Sequence, residues 1–93
     1  MYNYVWDEAE RRTNLRKHGL DFADAHLVYE SPEKITMRSD RDSEARMKDI
    51  AFVAVGSVVL TLIYTERGAE VRVISFRPAS RGERRFYAKL KGR

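Results

Sequence analysis

The sequence predicts an α+β domain with the element order ααββββα and an antiparallel sheet at its centre. Three observations predict this class. Two segments with helix-capping residues open the chain, four strand-like segments separated by turn residues follow, and a capped basic segment closes it. The length of 93 residues suits one modest hydrophobic core, so we expect a single domain over residues 1–93.

The first helix is predicted to begin after Asp7. Asp7 is a favoured N-cap residue, and Glu10, three positions later, completes the pattern of a capping box. We expect the helix to run to about His18, because Gly19 stands where helices commonly stop.

The second helix is predicted to begin after Asp21 and to end before Pro32, which restricts the residue that precedes it. Its apolar positions recur at the spacing of one helical face and are Phe22, Ala25, His26 and Tyr29. This pattern predicts that His26 packs partly buried in the core.

Four strands are expected, at residues 34–38, 46–55, 58–66 and 70–76. Gly56-Ser57, between the two long strands, predicts a two-residue type II′ hairpin with the positive φ at the glycine. Both alternating sets of side chains in the long strands are apolar. The sheet is therefore expected to be covered on both faces, by the helices or partly by a protein partner.

The hairpin also predicts a register. Counting outward from it pairs Val55 with Val58 and places Arg46 opposite Arg67, with Arg77 at the other end of the sheet, about 20 Å from Arg67 at the usual strand rise. This spacing argues against one phosphate held by both Arg67 and Arg77, but both can line one extended RNA track. The acidic residues expected to neutralise the Arg46–Arg67 pair are Asp40, Asp42 and Glu44.

The stretch of residues 77–87 carries four arginines, at the end of a strand and the start of the last helix. Arginine is permanently charged and its planar fork of donors fits phosphate, so the stretch predicts a site for a polyphosphate such as RNA. Ser80 and Glu83 predict a capping box for a helix at about residues 81–90. We expect Phe86 and Leu90 to pack inward and the basic side chains to face outward. The predicted RNA-binding residues are Arg46, Arg81, Arg84, Arg85 and Tyr87.

Composition excludes several classes of site. The chain has no cysteine, so disulfides and thiolate metal sites are excluded, and its two histidines lack a matching carboxylate spacing, so no metal or other cofactor is expected. The net charge of +4 favours polyanions or acidic partners. No membrane-spanning run and no secretion signal are evident, so we expect a cytoplasmic protein that does not engage membranes.

RNA cleavage without a metal needs a base for the 2′-hydroxyl proton, an acid for the leaving oxygen and cations for the charged transition state. Arginines suit the third role. The candidates for proton transfer are Lys17, His18, Glu44 and Tyr87, among which the sequence does not choose. His18 also fits a purely structural role, as a cation at a helix C-terminus.

Several short motifs resemble the BrnT toxin family, in order and over nearly the whole chain. They are Trp6-Asp7-Glu8-Ala9, Asn14, Lys17-His18-Gly19, Phe22, Ala25, Glu44-Ala45-Arg46, Thr65-Glu66-Arg67, residues 73–79, Glu83-Arg84 and Tyr87. The resemblance implies a RelE-like fold and a metal-independent endoribonuclease toxin of a type II toxin–antitoxin system that arrests translation. It implies that Arg67 and Arg77 are active-site arginines. It also implies a ribbon-helix-helix antitoxin, BrnA, as the partner, with operator DNA bound only through the complex.

Two other functions compete with this one. A DNA-binding regulator would use the basic last helix, but no helix-turn-helix spacing precedes that helix. A non-catalytic module that binds nucleic acid or an antitoxin would have the same composition. Toxicity with and without Arg77 separates the enzyme from both.

Overall fold

The computed structural model describes residues 1–39 and 45–92. The elements are β1 (Asn3–Val5), α1 (Glu8–His18), a 3-10 turn (Phe22–Asp24), α2 (His26–Tyr29), β2 (Ile35–Arg38), β3 (Met47–Val53), β4 (Val58–Arg67), β5 (Glu70–Pro78) and α3 (Arg81–Lys91). The strands form one sheet in the order β1-β5-β4-β3-β2. The α+β class is confirmed. None of the helices in the described part of the chain is long and apolar enough to cross a bilayer.

The sheet has one strand that the sequence did not predict. Asn3–Val5 forms β1, which pairs in parallel with the start of β5, with Tyr4 beside Val71. Three residues are too few to show the alternation by which a strand is recognised. The predicted order ααββββα was therefore wrong at the N-terminus, and the sheet is mostly, not wholly, antiparallel.

The helix boundaries follow the predicted caps. The Asp7 side chain accepts from the backbone N–H of Glu10 at 3.0 Å, and Gly19 ends α1 with a φ of 70°. At α3, Ser80 and Glu83 form both halves of a capping box. Side chains a few residues apart determine these caps, so local sequence suffices to predict them.

The second helical segment departs from its prediction. Asp21 caps a 3-10 turn, and α2 covers only the four residues His26–Tyr29. A 3-10 turn has about 3.0 residues per turn, so it shifts which side chains face inward. Val28 is fully buried and His26 is exposed, so the prediction of a packing histidine was wrong.

Both faces of the sheet carry buried apolar residues, as predicted. The segment from α1 to α2 covers one face, over a core that includes Phe22, Val28, Leu62 and Phe76. On the other face α3 covers a smaller core made of Ile50, Ala79 and Tyr87. α3 follows β5 at Pro78, the end of the strand opposite the β4–β5 hairpin, and packs mainly against β3.

The rotation of α3 about its axis differs from the prediction. Tyr87 is only 1% exposed and its hydroxyl donates to the backbone oxygen of Glu33 at 2.9 Å. Phe86 and Leu90 are 44% and 56% exposed. The expectation that Phe86 and Leu90 pack inward was wrong, and so was the assignment of Tyr87 to RNA binding or proton transfer, because its ring and hydroxyl are engaged in the core.

The β3–β4 hairpin has a longer loop than predicted. Val53 pairs with Val58, and residues 54–57 form the loop, with the positive φ of 50° at Ser57 rather than at Gly56. The register is therefore shifted by two residues, which keeps each side chain on its face but changes its neighbours. Arg46 does not lie opposite Arg67, and the acidic residues expected between them, Asp40, Asp42 and Glu44, lie outside the described residues.

The pairing of β4 with β5 contains a bulge. Ser75 pairs with Ile63 and Val73 with Tyr64, so Ile74 is an extra residue on β5. A bulge re-aims the side chains beyond it and occurs often beside functional sites. In this protein it brings Arg77 opposite Thr61.

Candidate functional site

A basic pocket lies on the face of the sheet that α3 covers only in part. Lys48, Ile63 and Ser75 are paired across β3, β4 and β5, so their side chains share this face. Arg46 and Arg77 each lie two residues along the chain from a member of this row and extend the pocket. The pocket has a volume of about 200 Å³ and is lined by Ser39, Arg46, Lys48, Ile63, Ile74, Ser75 and Arg77. We call it the central pocket.

A single carboxylate organises the cations of the central pocket. Two guanidinium nitrogens of Arg77 donate to the two carboxylate oxygens of Glu83 at 2.7 and 3.0 Å. The Lys48 ammonium donates to the same carboxylate at 3.1 Å, and the Thr61 hydroxyl at 2.9 Å. The fork of Arg77 is therefore fixed in one orientation, with 29% of its side chain exposed.

Glu83 stays ionised because of these donors. Burial would raise the pKa of the Glu83 carboxyl, but the hydrogen bonds from Arg77, the Ser80 backbone, Lys48 and Thr61 outweigh it and hold the pKa well below its usual range. The hydrogen bond to Glu83 raises the pKa of Arg77 in turn. A carboxylate held in this way is a weak proton acceptor, so Glu83 positions other groups better than it abstracts protons.

The sequence indicated Arg77 and Glu83, but it indicated neither their pairing nor the part that Lys48 takes in it. The capping-box pattern assigned Glu83 to the helix backbone only, yet its carboxylate serves the Ser80 N–H and Arg77 together. Lys48 had a signal in its position, because it lies two residues after Arg46 and hence on the same face of β3.

A second pocket adjoins the central one at the bulge. It lies between α1 and the edge of β5, has a volume of about 340 Å³, and is lined by Ala9, Glu10, Thr13, Asn14, Lys17, His18, Ile74 and Ser75. We call it the helix pocket. It shares Ile74 and Ser75 with the central pocket. The proton-transfer candidates Lys17 and His18 therefore line a pocket that adjoins the pocket of Arg77, with Ile74 and Ser75 common to both.

Asn14 fixes this stretch of β5 against α1. Its side-chain amide donates to the backbone oxygen of Phe76 at 2.7 Å and accepts from the backbone N–H of the same residue at 3.2 Å. A second donation reaches the Leu20 oxygen at 3.1 Å. Asn14 is 7% exposed. Its hydrogen bonds to Phe76 take the place of a neighbouring strand, because β5 has no strand beside it on this edge past the end of β1. The backbone before Arg77 is thereby held in place.

Arg67 lies apart from the central pocket. It sits at the end of β4 and lines a separate pocket with Thr65, Glu70 and Arg72. Six residues of β4 separate it from Thr61, the partner of Arg77, which corresponds to about 20 Å. Arg67 faces the same side of the sheet as Ile63, so the two basic pockets lie along one surface.

The remaining site candidates divide into three groups. Arg81 and Arg85 are exposed on α3, and Arg84, also exposed, donates to the backbone oxygen of Ala79 at 2.8 Å. Tyr87 belongs to the core. Glu44 lies outside the described residues.

A second buried carboxylate does not contribute to these pockets. Asp49 is fully buried on the opposite face of the sheet and accepts hydrogen bonds from Lys34, Thr36 and Tyr64 at 2.6–2.9 Å. Within residues 1–39 and 45–92 no three histidine or acidic side chains come together as a metal-binding group.

A protein-family model matches most of the chain. It covers residues 6–83 and is described as the ribonuclease toxin BrnT of type II toxin–antitoxin systems. The match includes α1, the whole sheet beyond β1, and Glu83. No curated protein matches the chain.

Proposed function

Because the chain belongs to the BrnT family of ribonuclease toxins of type II toxin–antitoxin systems, we propose that the central pocket is where it holds and cleaves RNA. The family supplies the substrate class and the existence of an antitoxin partner. The protein is a ribonuclease toxin; the position of its site and the chemistry there are our proposal.

The observation that carries the proposal is the arrangement of Arg77, Lys48 and Glu83. One carboxylate shared by two cations leaves this group with a net charge of +1 and holds the guanidinium in a fixed orientation. Preorganised cations stabilise a transition state without the cost of reorienting when charge develops. A phosphodiester group bound over Arg77 and Lys48 gains this stabilisation as its oxygens become more negative.

We propose metal-independent cleavage by the 2′-hydroxyl. A base takes the proton from that hydroxyl, the 2′-oxygen bonds to phosphorus, and the bond from phosphorus to the 5′-oxygen breaks while an acid protonates the 5′-oxygen. The products are a 2′,3′-cyclic phosphate and a 5′-hydroxyl. In this scheme Arg77 and Lys48 occupy the place that a metal ion has in other nucleases.

Proton transfer falls to residues of the helix pocket. His18 is half-buried and Lys17 is exposed, and both line the pocket that meets the central one at Ser75. We propose His18 as the main proton-transfer group, since imidazole serves as acid and base more readily than an exposed ammonium. Glu44 remains a sequence-based candidate.

The arginines outside the Arg77–Lys48–Glu83 group bind RNA and take no part in the chemical step. We propose that Arg67 and Arg72 hold the RNA backbone further along the same face of the sheet, and that Arg46 does so beside Lys48. The exposed arginines of α3, Arg81, Arg84 and Arg85, extend the positive surface beyond the capping box. Phosphate contacts of this kind supply affinity without sequence preference.

Further properties are proposed from the resemblance of the chain to the BrnT family. They are a RelE-like fold within the α+β class, arrest of translation by RNA cleavage, a cytoplasmic location and a ribbon-helix-helix antitoxin that carries the complex to operator DNA. The mixed five-stranded sheet with helices on both faces supports the first of these.

Cleavage of a defined single-stranded RNA by the purified chain tests the proposal. We expect fragments with 2′,3′-cyclic phosphate and 5′-hydroxyl ends, formed at the same rate with and without EDTA. An Arg77→Lys variant purified in parallel keeps the charge but loses the bidentate fork, and a mock purification from cells without the protein controls for contaminating nucleases. Loss of cleavage in EDTA would overturn metal independence, and equal cleavage by both proteins would remove Arg77 from the site.

A further inference from the structure

An apolar groove on α3 borders the central pocket and shares Lys48 with it. It lies between α3 and β2, has a volume of about 250 Å³, and is lined by Met37, Lys48, Ile50, Gly82, Glu83 and Phe86. Phe86 is 44% exposed, and Leu90, one helical turn further along the same side of α3, is 56% exposed. Two large apolar side chains exposed in line are more typical of an interface than of a solvated helix face.

We propose that this groove is the docking site of the antitoxin, and that the occupant is an amphipathic segment with apolar anchors and acidic flanking residues. The proposal rests on the proposed function, since the family supplies the partner and the central pocket supplies what must be blocked. Aromatic residues such as Phe86 serve as anchors at protein interfaces.

Charge favours an acidic partner at this groove. Lys48 and Glu83, which both line the groove, form an ion pair. The excess positive charge comes from Arg85 and Lys89, which are exposed on α3, three residues from Gly82 and Phe86 respectively. A second apolar groove, lined by Leu27, Val55 and Glu30 among others, lies at the β3–β4 hairpin end and carries no lysine or arginine. Basic residues therefore distinguish the α3 groove, and they speed capture of an acidic segment.

The position of Lys48 explains how docking blocks cleavage. Lys48 lines both the groove and the central pocket. An acidic side chain of the occupant that pairs with Lys48 competes with phosphate for the same ammonium, and the occupant covers one side of the central pocket. Binding and inhibition are thus coupled through one residue.

The groove suits a protein segment better than a nucleobase. Aliphatic Met37 and Ile50 line it beside Phe86, and such a surface suits apolar side chains, whereas nucleobases stack on aromatic faces. The alternative occupant is an RNA base stacked on Phe86, and the experiment below distinguishes a protein segment from an RNA base.

The test uses the cognate antitoxin of this chain, purified separately. Calorimetry measures its affinity for the wild-type chain, for Phe86→Ala and for Leu90→Ala, and RNA affinity and cleavage are measured in parallel. We expect antitoxin affinity to fall at least about 30-fold for Phe86→Ala, the loss of a central aromatic anchor, with RNA cleavage unchanged. Leu27→Ala is the matched control, because Leu27 is 38% exposed in the second apolar groove.

Wild-type antitoxin affinity in folded Phe86→Ala and Leu90→Ala variants would overturn the docking site. Weaker RNA binding by Phe86→Ala with unchanged antitoxin affinity would make the groove an RNA subsite and equally overturn it. Either result leaves wild-type cleavage intact. Failure of the wild-type chain to cleave RNA would instead contradict the proposed function, while calorimetry still tests the docking site.

Discussion

Arg77 and Glu83 face each other across the junction of β5 and α3, joined by two hydrogen bonds of 2.7 and 3.0 Å. The same carboxylate accepts from the Ser80 backbone N–H at 2.8 Å and so completes the cap of α3. The start of the helix and the orientation of the arginine therefore depend on one side chain. We expect this dependence to be measurable in both activity and stability.

Replacing Glu83 by glutamine should separate binding from catalysis. The amide removes a negative charge, which favours RNA binding, but it cannot accept both donors of Arg77. We predict a lower KM for RNA together with a 10- to 100-fold lower kcat, on the order expected when a charged group loses its positioning. Steady-state kinetics measure both constants, with Glu33→Gln as the control. An equal loss of kcat in Glu83→Gln and Glu33→Gln, or an unchanged kcat in Glu83→Gln, would contradict the positioning role.

Stability should depend on pH through the same carboxylate. The pKa of Glu83 is lower in the folded chain than its ordinary value of 4.5, so the unfolded state binds more protons as pH falls. The stabilisation is complete above about pH 5 and is lost as the pH falls further. We predict a shallower decline of Tm between pH 5 and 3 for Glu83→Gln than for wild type, measured by thermal unfolding. Identical slopes would show that other carboxyls dominate.

Removing the Asn14 side chain should loosen the edge of β5. Asn14→Ala leaves the backbone N–H and C=O of Phe76 without their partner, which costs about 2–3 kcal/mol. We predict a Tm lower by roughly 8–20 °C and faster hydrogen exchange at the Phe76 amide. Thr13→Ala, at an exposed neighbouring position on α1, is the control. Unchanged protection of the Phe76 amide would show that β5 is held elsewhere.

Arg67 should affect RNA binding more than the chemical step. It lies about 20 Å from Arg77 along the strands, so it contacts a different part of the RNA. We predict that Arg67→Ala raises KM with little change in kcat, and that the log–log salt slope of binding becomes shallower by about 0.7. A fall in kcat equal to that of an Arg77 variant would instead place Arg67 at the reacting phosphate.

Local sequence signals predicted the helix ends and the strand that carries Arg77. The caps at Asp7, Ser80 and Glu83 involve residues within one helical turn, so no tertiary information is needed. The two-sided apolar pattern of β3 and β4 predicted covered faces on both sides of the sheet, and two buried clusters confirm this. These features depend on neighbours in sequence.

The sequence did not predict the features that depend on residues far apart in the chain. The β3–β4 loop has four residues, 54–57, instead of the predicted two, and this difference shifts every cross-strand pair of β3 with β4. The bulge at Ile74 and the parallel strand β1 both require β5 and its neighbours together. The sequence therefore placed Arg46 with Arg67, whereas the structure places it with Arg77.

The sequence indicated several residues of the site, but it did not indicate which of them lie together. An arginine at the end of a strand before a capped helix indicated Arg77, and the helix end at His18 indicated a proton-transfer candidate. The spacing of Lys48 from Arg46 indicates a shared face of β3, but nothing local indicates the partner of Lys48, Glu83, 35 residues away. The exposure of Phe86 was missed because both Phe86 and Tyr87 are aromatic, and only packing selects which one faces inward.

The rate of RNA cleavage by Arg77→Ala at saturating RNA tests the central pocket most directly. The matched control is Arg12→Ala, which removes the same charge from an exposed position on α1. Circular dichroism and thermal unfolding establish that both variants are folded at the assay temperature. We predict at least a 100-fold lower kcat for Arg77→Ala, the order of loss when a transition-state donor is removed, and a wild-type kcat for Arg12→Ala. A folded Arg77→Ala variant that cleaves at the wild-type rate would contradict the assignment of RNA cleavage to the central pocket.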